Sequence, residues 1–264
     1  MRSSDLSALA SAFARTVRIG AREYLVEYPP AVLLAAVVPR TVLQVLLLTM
    51  LGRAVAGPAG ATAAGLGASA FAMVTATVNK APDVLVNERV QGTLHRLRMT
   101  TLPLPVLVAA RWAVYAAEGL TTALVAVPVA ALVAADGRML HELPAALPLY
   151  ALMTLSSSAF GLAVAVLAMT GRADVFLTNL AAYLVLALSG VLSPLRGGGV
   201  RAVAGAVLPL SHGIAALRAL HAGAPVLATA SGEALVGAVW CVLAVVGLRL
   251  QERRSRRTGR DFLL

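Results

Sequence analysis

The 264-residue chain carries a formal net charge of +10, with 59% hydrophobic and only 13% charged residues, and its mean hydropathy is +0.83. Soluble globular domains hold about 25% charged residues, so this composition excludes an ordinary soluble domain and predicts an all-α polytopic membrane protein. Period-2 alternation is missing, which excludes a β-barrel, and the single cysteine, Cys241, excludes a disulfide framework or a cysteine metal site within one chain.

Residues 6–28 read as an amphipathic helix. Leu6, Leu9, Phe13, Val17, Tyr24 and Tyr28 share one face and Arg15, Arg18 and Arg22 gather opposite, a pattern suited to the inner headgroup layer. This polar lead is unlike a cleavable signal peptide, so the mature chain is expected to begin near Met1. Apolar runs follow near 31–51, 61–79, 106–134, 145–170, 175–195 and 225–248, each long enough for a hydrocarbon core that takes roughly 20 helical residues. The expected organisation is an interfacial helix over 1–30, a six-helix transmembrane domain over 31–248 and a basic tail over 249–264.

The first run holds Pro39-Arg40 near its middle, where an arginine costs roughly 2.5–3.5 kcal/mol on insertion scales. Arg40 either lines a polar pathway or pairs with an acid, or it snorkels from a shifted or tilted span. In the second run Ala61, Gly65 and Ser69 stand four apart, a small-residue stripe that lets helices approach closely. Asp83 to Met99 then has the pattern of a polar amphipathic helix. Val86, Val90, Leu94 and Leu97 fall on one face and Glu88, Gln91 and His95 on the other, with Pro82-Asp83 as the start and Thr100 to Pro105 as the stop. Such a helix between two spans suits docking to a separate motor protein.

The third run carries Arg111 and Glu118, seven residues apart on one face and about 10 Å apart along the axis. Arg111 fits the inner interface. Glu118 lies deeper and needs a partner, which makes it a candidate functional acid alongside Arg40 and Arg111. Between the fifth and sixth runs, Ser193-Pro194 to Pro225 contains two short helical patterns. Val200 to Leu208 is ended by Pro209, and Ser211 to Ala222 has Ser211 as N-cap and Gly223 as stop. Too polar to span and too apolar for open water, this segment is expected to dip into the outer half of the bilayer against protein.

Basic residues set the orientation. Arg2, Arg15, Arg18 and Arg22, then Lys80, Arg89, Arg96 and Arg98, then Arg172, then Arg249, Arg253, Arg254, Arg256, Arg257 and Arg260 fall on one side; Arg53, Arg138, Arg196, Arg201 and Arg218 fall on the other. The positive-inside rule places both termini and the 80–104 loop in the cytosol, in a multi-pass protein of the cell membrane. The net charge is thus a topology signal, with no nucleic-acid partner implied. The arginine-rich tail also suits anionic lipid, at about 1 kcal/mol per arginine near the surface.

No Gly-x-x-x-x-Gly-Lys-Ser/Thr loop occurs, so the chain is not expected to bind ATP through a P-loop. No His-Glu-x-x-His is present, and His95, His141, His212 and His221 are scattered over both sides. Ser156-Ser157-Ser158 lies in an apolar run with no base nearby in sequence. No enzymatic activity, bound cofactor or metal is expected of this polypeptide alone.

Two anchors carry a resemblance. The first is Glu88-Arg89-x-x-Gly92-Thr93-Leu94-x-x-Leu97 followed by Pro103. The second is Ser189-Gly190-x-x-Ser193-Pro194, then Leu208-Pro209-Leu210-Ser211-His212 and Ala216-Leu217-Arg218. In order and spacing they resemble the ABC-2 type transporter permeases, which include drug-efflux and polysaccharide-export membrane subunits; Gln91 and His95 stand where many members carry a charge.

The resemblance covers essentially the whole chain. It implies six transmembrane helices with an N-terminal interfacial helix, a cytosolic coupling helix and outer re-entrant helices. Two permeases, as identical copies or paralogues, would pair with two copies of a separate ATP-binding subunit that holds ATP and Mg. Glu88, Arg89, Gln91, Gly92, Thr93, Leu94, His95 and Leu97 would transmit motor movement, and the outer segment would include Ser193, Pro194, Pro209, Ser211, His212 and Arg218. The substrate path would lie between the two permeases and export is the implied direction; few aromatics and few polar groups in the spans fit an amphipathic or lipidic cargo.

The rival readings are an ion-coupled secondary transporter, with Arg40, Glu118 and Asp174 as relay charges, and a non-transporting membrane scaffold or immunity-type protein. Secondary transporters often show two matching halves, and no convincing repeat is visible. A neighbouring reading frame encoding a P-loop ATPase separates the first reading from both. Topology is tested by single cysteines in a Cys241→Ala background: Ser3→Cys, Gln91→Cys and Ser255→Cys should react only from the cytosol and Gly198→Cys only from outside. Outside labelling at Gln91→Cys overturns the orientation.

Overall fold

A computed structural model describes residues 3–81, 104–168, 174–194 and 199–258. All regular structure among them is helical. The elements are α1 (Ser3–Glu27), α2 (Pro30–Ala72) with a π-helix at Thr75–Asn79, α3 (Leu104–Ala134), α4 (Arg138–His141), α5 (Leu143–Ala168), α6 (Asp174–Leu188), α7 (Val200–Val207), α8 (Ser211–His221) and α9 (Leu227–Thr258).

The 43-residue α2 is a folded hairpin. Gly57 has φ 66° and ψ −153°, a conformation open to glycine, and Pro58 behind it both disfavours helix at Gly57 and starts the next limb. A Cβ on Gly52 would overlap the Gly60 carbonyl and the Ala64 methyl, and one on Gly60 would overlap the Gly52 carbonyl. Residues eight to twelve apart touch only because the chain reverses between them, so the first two apolar runs become two limbs packed backbone to backbone. The stripe Ala61, Gly65 and Ser69 is buried in this packing. Gly65 faces Ala130 of α3, and the Ser69 hydroxyl pairs with the Tyr150 hydroxyl of α5 at 2.7 Å.

Beyond Ala72 the second limb widens into the π-helix, whose Thr77 is seated between two glycines. A Cβ on Gly161 of α5 would overlap the Thr77 carbonyl, and one on Gly119 of α3 would lie 2.9 Å from Thr77 Cγ2. The core is made largely of small residues in this way, with α2 packed most extensively on α3, α5 on α9, and α1 along α3. Large side chains such as Leu43 (66%), Val55 (80%), Leu132 (83%) and Leu235 (67%) stand exposed on the outside.

Among the described residues, four helical stretches are long and apolar enough to cross a membrane: Pro30–Asn79, which contains the hairpin, Val106–Ala134, Leu143–Ala168 and Leu227–Arg254. The protein is a multi-pass membrane protein. The apolar helix Val175–Leu188 is shorter, where the sequence suggests a run to 195. It stops because the Ser189 hydroxyl donates to the Pro209 carbonyl at 2.9 Å and Gly190 turns left-handed with φ 74°. At the other end of the chain, α9 continues through Thr258, past the expected end of the sixth run at 248.

Overpacking a close helix contact costs typically about 1–3 kcal/mol. Gly52→Val should lower the thermal midpoint of the detergent-purified protein accordingly. Gly137→Ala, at a site with nothing within 4 Å, should leave it unchanged.

Candidate functional site

Three polar clusters tie the helices together, and the first sits where the second limb ends. Lys80 follows the π-helix and places Nζ 2.6 Å from Oε1 and 2.7 Å from Oε2 of Glu118 in α3. The Tyr24 hydroxyl of α1 donates to Glu118 Oε2 at 2.7 Å. The Lys80 ammonium lies 4.5 Å from the Tyr28 ring centre and 5.5 Å from that of Tyr24, and Tyr24 meets Tyr115 edge to face. Glu118 is only 7% exposed; inside the protein its charge is answered by one cation and one phenol. Burial first, and then the hydrogen bond to Glu118, push the Tyr24 phenol far above its usual range, so it remains a donor.

The partner of Glu118 is therefore Lys80, and neither Arg40 nor Arg111 makes that contact. Arg111 pairs with Glu23 of α1 at 3.0 Å, which fastens α1 a second time, close to where Gly20 rests on the Arg111 backbone. Arg40 is half-buried and has no hydrogen bond or ion pair among the described residues. The side chains of Arg15, Arg18 and Arg22 are exposed on α1, and the face carrying Gly20 and Tyr24 is buried.

The second cluster holds the short helices α7 and α8. Glu233 of α9 is fully buried, and its carboxylate accepts the Leu210 N–H at 3.0 Å and the Gly213 N–H at 2.9 Å. It thus caps the start of α8 from another helix, the work the sequence assigns to Ser211. Ser211 instead donates to the Gly205 carbonyl at 2.5 Å, because left-handed Leu210 (φ 72°) occupies the capping position. Gly223, with φ 68°, ends α8: its N–H bonds Leu220 and the Ala224 N–H bonds Ala219, the pairing of a left-handed glycine stop.

Arg218 Nη2 donates to the carbonyls of Ala63 (2.8 Å), Gly190 (2.9 Å) and Val191 (3.2 Å), joining α8 to α2 and to the turn after α6. Burial lowers its pKa to about 10, which leaves it charged at neutral pH. His212 lies beside the Ala206 carbonyl at 3.2 Å; Pro209 accepts from Ser189; Ser193 and Pro194 are exposed.

The third cluster lies at the far end of α3. His221 Nδ1 is 2.7 Å from Glu142 and Nε2 is 3.1 Å from Asp136, which also accepts from Thr62. Arg138 bonds Glu142 and the His221 carbonyl. No group of three His, Cys, Asp or Glu residues among the described residues is arranged to hold a metal ion.

Glu88, Arg89, Gln91, Gly92, Thr93, Leu94, His95 and Leu97 lie outside the described residues. Lys80, Tyr24, Glu233, Asp136, Glu142 and His221 were not singled out as sites from sequence. Two signals were available: Lys80 is the sole lysine, and Glu233 is an acid within the last apolar run.

Removing one partner of a buried ion pair costs about 3–5 kcal/mol because the other charge is stranded. Lys80→Met and Glu118→Gln should each lower detergent stability strongly, and the double variant should cost clearly less than their sum. Additive losses would show that the pair does not couple.

A family model, ABC-2 type transporter, matches residues 22–221. No curated protein and no solved structure matches the chain. The matched region takes in the Lys80–Glu118 and Arg111–Glu23 pairs, the 82–103 segment and the short helices α7 and α8 through His221, three quarters of the sequence, and the chain belongs to the ABC-2 type transporter family, whose members are membrane subunits of ABC transport systems.

Proposed function

We propose that the chain is the permease subunit of an ABC exporter, moving an amphipathic or lipidic substrate out of the cell with ATP hydrolysed, with Mg, on a separate ATP-binding subunit. Family membership carries this reading. Six spans are then the two limbs of α2, α3, α5, α6 and α9, with α7 and α8 re-entrant from outside and both termini cytosolic in the cell membrane. Two permeases, identical or paralogous, enclose the path. The basic residues of α1 and the tail meet anionic lipid.

The 82–103 segment serves as the coupling helix in this scheme, with Glu88, Gln91 and His95 turned to the motor. Its push reaches the second limb directly through Lys80. Lys80 hands it to α3 through Glu118 and to α1 through Tyr24 and Tyr28. Supporting this route, the only charged group within hydrogen-bond distance of Glu118 among the described residues is the lysine nearest that segment.

Glu88→Arg combined with Gly92→Pro should leave the permease inserted but abolish co-purification with its partner ATPase and stimulation of that ATPase. Unchanged stimulation by the double variant overturns the docking role.

A further inference from the structure

Arg40 and Gln44 stand one turn apart on the first limb of α2, on the seam between its buried and exposed faces. Thr41 and Val45 point inward at 1% and 0% exposure, and Leu43 and Leu47 point outward at 66% and 65%. Arg40 Nε and Nη2 and Gln44 Nε2 are enclosed and have no hydrogen-bond partner among the described residues. Arg40 lies within electrostatic reach of Glu118, yet both oxygens of that carboxylate are already taken by Lys80 and one also by Tyr24. The seam thus offers the guanidinium fork of Arg40 and the amide N–H of Gln44, with one positive charge left over after Lys80 and Glu118 cancel. Buried donors in a native fold are nearly always paired, with protein, water or an ion, and a guanidinium fork matches a phosphate or carboxylate in two parallel hydrogen bonds.

We propose that Arg40 and Gln44 form an anion subsite that takes the phosphate of an anionic amphiphile entering from the inner leaflet. Cytosolic phosphate esters offer the same chemistry as a lipid headgroup. Three features favour the membrane source: exposed leucines on one side of the seam, the tyrosine cluster of α1 and α3 nearby, and a position about ten residues, or about 15 Å, into the limb from Pro30. The assignment of this anion as cargo rests on the export reading, whereas its binding does not.

Native mass spectrometry of the full-length protein in maltoside detergent, with added phosphatidylglycerol or phosphatidylcholine of the same chains, tests the site without any ATPase. The wild type should retain phosphatidylglycerol about tenfold more tightly than phosphatidylcholine. Arg40→Gln should remove that preference, and Gln44→Leu and Arg40→Lys should each reduce it about threefold. Arg53→Gln, at the other end of the first limb, should leave it intact. Displacement by glycerol phosphate assigns the site to soluble phosphate esters, and failure to displace assigns it to lipid; either keeps the subsite. Equal retention of the two lipids by the wild type overturns the proposal, as does undiminished preference in Arg40→Gln. Should Arg40→Gln fail to fold, undiminished preference in both Arg40→Lys and Gln44→Leu overturns it equally. A wild type that keeps its lipid preference but neither binds nor stimulates a partner ATPase would sink the export reading and leave the subsite standing.

Discussion

A carboxylate within a membrane-embedded bundle is tolerable when protein groups answer its charge and its lone pairs, and Glu118 is answered from two directions at once. Lys80 arrives from the second limb of α2, Tyr24 from α1. Neither contact can form unless α1, α2 and α3 already hold their mutual places. The pair therefore sets register among three elements, and its net worth to stability is secondary to that, because taking two charges out of water offsets much of their attraction. The adjoining Arg111–Glu23 pair repeats the tie between α1 and α3 where Glu23 is more than half exposed, and there the strength of the contact is correspondingly small.

The opposite end of the bundle is built by other means. There the short helices are held mostly through backbone groups: Glu233 collects two N–H donors at the head of α8, and Arg218 supplies donors to carbonyls freed where α6 ends and to Ala63 of α2. Helix ends inside a membrane protein leave groups that water cannot reach, so each irregular stretch there must be served by a charged side chain from another helix. Arg218 thereby ties α8 to α2 and to the turn after α6, and Glu233 ties α9 to the head of α8. Displacing α8 would strand carbonyls on one side and N–H groups on the other.

Much of this architecture was legible in the sequence, and the reasons are local. Apolar run lengths marked the long helices, Gly223 the left-handed stop of α8 and Leu208-Pro209 the end of α7, whereas the reversal at Gly57-Pro58 appeared only as the gap between the first two runs. The need of Glu118 for a partner followed from solvation alone. Which partner did not follow, because Lys80 lies 38 positions away and the choice among Lys80, Arg40 and Arg111 is made by how α2 and α3 pack. The same limit explains Ser211, whose local capping chemistry was displaced by a carboxylate 22 positions downstream in sequence. Sequence shows which groups are in want; the tertiary packing decides what satisfies them.

The wide turn at Thr75–Asn79 makes the second limb a screw with about one residue of slack. Tightening it to ordinary helical pitch would rotate everything beyond it by about 100°. Lys80 is the next residue, so the rotation would carry its ammonium off Glu118 and out of the two tyrosine rings. Gly119 and Gly161, which leave the room in which Thr77 sits, bound that rotation on either side. On the proposed coupling route, a thrust along the limb would therefore also twist its tip, with the Lys80–Glu118 pair as the catch.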